Sequence, residues 1–215
     1  MRELTPLEAR VLAVLVEKQA TVPDTYPLSL NALVAGCNQK SARQPIMEVE
    51  EGEVTTALGA LKGLSLVIEV SGARVMRFDH NMPRVLGLPG AAVALLAVLM
   101  LRGPQTVAEL RQNSERLHHF ADVSSVEGFL EELAGKAAPF VARLARAPGA
   151  REVRWAHLLC GAVSEAAAAP ADARAAGDSD ELARLRAEVR QQGAQLQRLQ
   201  TLVQRLADEL GIAPE

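Results

Sequence analysis

Aromatic side chains are scarce in this 215-residue chain: one Trp, one Tyr and four Phe. A core without aromatic bulk must be filled by Leu, Val and Ala, which suits small helical units. Cysteine is scarcer still. Cys37 and Cys160 stand alone without a C-x-x-C spacing, so neither a disulfide framework nor a metal site is expected, and a reduced, cytoplasmic protein is. Long hydrophobic runs are missing too. The longest, 91–101, falls well short of the roughly 20 residues that cross a bilayer. The opening residues, Met1-Arg2-Glu3-Leu4-Thr5, lack a secretory pattern. No membrane association is expected.

Charge of one sign is also lacking. The net charge is −3. Residues 1–88 hold nine Lys/Arg against ten Asp/Glu, 89–163 eight against seven, and 164–215 six against nine. With no segment basic in bulk, any nucleic-acid contact must come from a local patch. No Ser/His/Asp set, Gly-rich phosphate loop or paired-carboxylate site stands out. His118 and His119 are adjacent, so a helix would point them in different directions. Neither enzyme activity nor a cofactor is expected.

Helical periodicity is what the chain has. Thr5-Pro6-Leu7-Glu8 is a capping box with Pro at the first helical position, and Leu7, Val11, Leu12 and Leu15 follow as a buried stripe. Leu30, Leu33, Val34 and Cys37 share one face of a second helix, and Val54, Ala57, Leu58 and Leu61 one face of a third. The runs 66–70 and 74–78 flank Ser71-Gly72, a hairpin signal. Residues 81–90 read as a proline-containing linker. The plan then repeats. An apolar helix spans 91–101, and Thr106 to Glu109 and Ser124 to Glu127 form two further capping boxes. The runs 140–146 and 151–159 flank Ala147-Pro148-Gly149. Residues 72–80 align without gaps to 149–157, with Gly, Ala, both Arg and His identical and Phe78 facing Trp155. An internal duplication is the reading.

Residues 164–180 are Ala, Pro, Asp and Gly, a linker composition that cannot bury a core. Beyond it, Leu182, Val189, Leu196, Val203 and Leu210 fall at heptad position a. Leu185, Gln192, Leu199 and Leu206 fall at d. The expected architecture is mainly α with small β-hairpins (α+β): two tandem winged helix-turn-helix domains, 1–88 and 89–163, the linker 164–180, and a coiled-coil helix 181–211. Leu182, Leu185, Val189, Leu196, Leu199, Val203, Leu206 and Leu210 are its expected homodimer contacts.

Glu8-Ala9-Arg10-Val11-Leu12, Glu17-Lys18, Tyr26-Pro27, Asn31 and above all Cys37-Asn38-Gln39-Lys40-Ser41 with Arg43 resemble the YceH-like family of uncharacterised bacterial proteins over roughly residues 4–160. The resemblance implies tandem winged helices and brings no activity. Val22 and Ala42 depart from it, where Thr and Asn are expected.

Two functions from different classes follow. In the first, nucleic acid is bound by Asn38, Gln39, Lys40, Ser41 and Arg43, with Lys62, Arg74, Arg77, Arg151 and Arg154 in support. Asn and Gln suit adenine, and Lys and Arg suit guanine or phosphate. In the second, the winged helices dock a protein partner. The first leads, favoured by the fold and the Asn38–Arg43 cluster; the near-zero net charge and the third helix favour the second. Glu48, Glu50, Glu51 and Glu53 crowd the start of that helix and repel phosphate.

Overall fold

The computed structural model describes residues 2–71, 75–146 and 152–162. Over these the protein is a mixed α+β, mostly helical fold with two small antiparallel sheets. The linker 164–180, the heptad helix 181–211, Arg74 and Arg151 lie outside the described residues.

Helix α1 (Pro6–Thr21) starts as its capping box dictates, with Thr5 Oγ1 accepting from Glu8 N at 3.2 Å and Glu8 accepting from Thr5 N at 2.8 Å. The expected stripe proves too narrow. Residues 8–16 are buried without interruption, because α1 packs against elements on several sides. After a single 3₁₀ turn (Pro23–Thr25), a short strand β1 (Leu28–Ser29) leads into α2 (Leu30–Cys37), capped by Ser29. Gly36 permits the close approach of α2 to α1: a Cβ there would lie 2.6 Å from Val14 Cγ1. Helix α3 (Glu51–Gly63) is opened by a Glu50–Glu53 capping box. Strands β2 (Val67–Val70) and β3 (Arg77–His80) form the hairpin, and β1 joins the far side of β3, giving the order β1-β3-β2.

The stretch 81–90 is not a plain linker. Met82–Leu86 forms α4, anchored by the buried Met82 and stopped by Gly87 at φ 62°. Helix α5 (Gly90–Arg102) is buried from Ala91 to Leu101 and packs on α1, so the two halves share one core within a compact unit of residues 1–168. Thr106 and Glu109 form the expected capping box of α6 (Val107–Ser114). Helix α7 (Val123–Ala134) starts before the expected Ser124 cap: Asp122 Oδ1 takes the Ser125 amide at 2.7 Å, so the carboxylate wins the cap position. Strands β4 (Val141–Arg143) and β5 (Trp155–His157) close the second hairpin.

The element order α1-β1-α2-α3-β2-β3 thus recurs as α5, a single bridge at Gln105, α6, α7, β4 and β5. Register recurs as well. Leu28 faces Phe78 as Gln105 faces Trp155, and Val67 faces His80 as Val141 faces His157. One difference stands out. Thirteen residues, 38–50, join α2 to α3, whereas eight, 115–122, join α6 to α7.

Candidate nucleic-acid interface

The thirteen-residue connection holds five of the ten side chains expected to meet nucleic acid, of which Arg43 is buried, Asn38 and Gln39 are half-buried, and Lys40 and Ser41 are exposed. Asn38 lies just past α2. Its Nδ2 donates to Val49 O at 2.9 Å while its Oδ1 accepts from Val49 N at 2.8 Å, clamping the two ends of the loop. Such local side-chain to backbone bonding replaces the secondary structure the loop lacks.

Arg43 has a side chain with no exposure at all. Its Nη2 and Nη1 donate to the Glu17 carboxylate at 2.6 and 3.0 Å, and its Nε donates to Gly36 O at 3.1 Å. Burial pushes the Glu17 carboxyl up, but the Arg43 bonds and charge more than reverse this and hold it below the ordinary carboxylate range. Arg43 is therefore a structural cation, unable to reach a base or a phosphate without dismantling the loop.

Gln39 Oε1 accepts from Lys18 at 3.2 Å, and its Nε2 donates to Ser41 O and Oγ, each at 3.1 Å. Lys40 and Ser41 are exposed. Lys62, on α3, is paired with Glu69 of β2. Arg77 donates to Thr25 O at 2.9 Å and Pro27 O at 2.6 Å. Arg154 donates to Pro104 O at 2.8 Å and Glu109 at 3.0 Å. Of the described candidates, Lys40 alone makes no side-chain hydrogen bond or ion pair; the bonds of Asn38 and Ser41 stay within the connection.

The α3 surface is acidic at its start, with Glu50, Glu51 and Glu53 exposed. Its repeat counterpart α7 exposes Asp122, Glu127, Glu131 and Glu132. Neither helix offers a cation to phosphate on its first turns.

Two clusters escaped the sequence reading. Arg10 is 1 % exposed in the middle of α1 and donates to Cys37 O at 3.2 Å and Pro45 O at 2.6 Å. Burial, then repulsion from Arg43, lowers its pKa. A charged residue between Ala9 and Val11 was the available signal. The second cluster is polar: Tyr26 Oη donates to Asp79 at 2.5 Å and accepts from His80 N at 2.9 Å, and His80 Nε2 meets Gln19 Oε1 at 2.9 Å. Burial, then the Asp79 bond, raises the Tyr26 phenol well above its ordinary range, and burial lowers the His80 imidazole. These groups tie the sheet to α1. Among the described residues no cluster could hold a metal ion, and no helix is long and apolar enough to cross a membrane.

Comparison with known proteins bears on the whole chain. The family model described as "Protein of unknown function, DUF480" matches residues 4–150. A UPF0502 protein of Burkholderia orbicola is 65% identical over 215 residues, covering 99% of this chain and 91% of that protein. Another, from Leptothrix cholodnii, is 65% identical over 216 residues, covering 98% and 97%. The matches cover the Cys37–Arg43 motif and agree with the YceH-like resemblance, so the chain belongs to the DUF480 (UPF0502) family of uncharacterised bacterial proteins.

Proposed function

We propose that the chain is a non-catalytic, tandem winged-helix protein whose exposed helices dock a protein partner. The recurrence of helix, strand, two helices and hairpin in both halves supports the winged-helix assignment. One observation carries the choice of partner: of the expected nucleic-acid patch, Arg43, Lys62, Arg77 and Arg154 are spent on Glu17, Glu69, Glu109 and main-chain carbonyls. The exposed start of α3 is left carboxylate-rich, and α7 exposes Glu127, Glu131 and Glu132 along its length. A cationic protein surface complements them and a phosphate backbone does not.

Nucleic-acid binding is the second reading, supported by the exposed Lys40 and Ser41 beside α2. Retention of random duplex DNA separates the two. The docking reading expects none even at low salt. Retention that falls steeply with salt and is weakened by Lys40→Ala would replace it with the second reading.

Homodimerisation through the heptad segment 181–211 completes the proposal, resting on its Leu and Val pattern. Light scattering should find a dimer for the full chain and a monomer for a chain ending at Ser164. A monomeric full chain at micromolar concentration rejects it.

A further inference from the structure

The 38–50 connection gathers more positive charge than the fold needs. Lys18 and Arg43 pair with a single carboxylate, Glu17, and Arg10 and Arg102 lie within charge range of it. That carboxylate takes Arg43 at 2.6 Å and Lys18 at 3.4 Å. Arg102, the last residue of α5, is half-buried and lies within Coulombic reach of Glu17 and Arg43. The loop is pinned against it: Gln44 N donates to Leu101 O at 2.7 Å, and Gln44 Cγ would be 3.8 Å from a Cβ at Gly103. Among the described residues Arg102 has neither an ionic nor a hydrogen-bonded partner. Arg10 Nε is buried without one.

Part of this charge has a structural use. Gly36 O and Cys37 O, at the end of α2, accept from Arg43 and Arg10, so both arginines cap that helix. Capping accounts for neither Arg102 nor the surplus. The duplicated half shows that the architecture does without it. There the helix equivalent to α1 has no charged residue before Arg102, and the shorter 115–122 connection contributes no buried arginine. Partly buried cations without counter-charge raise the energy of the folded state unless an anion joins them.

We propose that Lys18 and Arg102, flanking the Arg43–Glu17 pair, form the mouth of a binding site for a phosphate-class oxyanion. Guanidinium groups present planar donor forks that match such oxygens. The Lys18 side chain, 22% exposed, gives solvent access. The chemistry is shared by free phosphate compounds and by a nucleic-acid backbone. The site is separate from the acidic faces of α3 and α7 and stands or falls independently of protein docking there.

The test is calorimetric titration of the full chain with inorganic pyrophosphate in low-chloride buffer, beside duplex DNA retention. Saturable binding is expected. Arg102→Gln should weaken it at least about tenfold, the loss of one charge-assisted contact. Arg84→Gln, at an exposed arginine of α4, should bind as wild type. Lys18→Gln is a second variant should Arg102→Gln fold poorly, and far-UV circular dichroism monitors both. Pyrophosphate binding without DNA retention assigns the site to free phosphate compounds. DNA retention abolished by Arg102→Gln assigns it to a backbone phosphate and also overturns the protein-docking reading. No saturable binding by wild type, or undiminished binding by folded Arg102→Gln and Lys18→Gln, overturns the site.

Discussion

Arg77 Nη1 donates to the carbonyl of Pro27 at 2.6 Å, fifty residues earlier, and Arg154 Nη1 repeats that bond to Pro104 at 2.8 Å across the same separation. In each half an arginine at or just before the start of the final strand holds the main chain shortly before the second helix. Both were candidates for phosphate contact. The repeat of the bond gives these arginines a structural role in holding the hairpin to the chain ahead of the second helix.

Removing either strap should cost stability. Arg77→Ala loses bonds to Thr25 O and Pro27 O, and Arg154→Ala loses bonds to Pro104 O and Glu109. Each should lower the unfolding free energy by about 1–3 kcal/mol, the range for bonds made by charged groups. Urea midpoints measure this. Unchanged midpoints in both variants would remove the strap role.

Arg43→Ala should be more damaging than a surface change. It strands Glu17, whose side chain is only 14% exposed, and leaves Gly36 O unbonded. Breaking a buried pair on one side costs about 3–5 kcal/mol. Combining it with Glu17→Gln should recover part of the loss. A double variant combining Lys40→Ala with Arg43→Ala would thus confuse binding with unfolding. Lys40→Ala alone is the clean probe of nucleic-acid contact.

Ala42 sits at φ 58°, in the left-handed region that L residues with a Cβ avoid. Asn tolerates that region best among non-glycine residues, which accounts for Asn as the residue expected there by resemblance. Ala42→Asn should raise stability by about 0.5–1 kcal/mol. A thermal midpoint at or below that of wild type would count against the strain.

Stability should fall in mild acid. His157 is pushed down to about 4 by burial, and its Nδ1 has no partner. The unfolded chain binds this proton near pH 6.5, so between those values the unfolded state holds more protons than the folded one. The contribution is complete above pH 6.5, declines as pH falls, and is gone below about 4. Its size is about 3 kcal/mol at most. His80, also lowered by burial, acts in the same direction. Urea unfolding at pH 7.5, 6 and 5 measures the slope, and His157→Gln should flatten it. An identical slope in that variant would acquit His157.

Most helices were legible in the sequence because their signals are local. Thr5 with Glu8 and Thr106 with Glu109 each close within four residues, and the apolar spacings of α2 and α3 need only their own turns. The duplication was legible through nine aligned residues, and the matching Phe78 and Trp155 registers agree with it. Misses arose where distant chain intervened. Helix α4 was hidden because Met82 is drawn into a core assembled from both halves. The stripe on α1 was drawn too narrow because α5, about seventy residues away, covers another side.

The amino-acid sequence by itself determined where most of the helices and the two hairpins form and that the plan occurs twice, since caps, turns and periodicity act over a few residues. It also determined which polar groups crowd the 38–50 connection. Only the tertiary structure decided where those groups point. Arg43 turns inward because packing α2 on α1 brings Glu17 and the Gly36 carbonyl to one place. Together they outweigh solvation for a guanidinium that the sequence shows as one more exposed cation, and no local pattern records a partner twenty-six residues away.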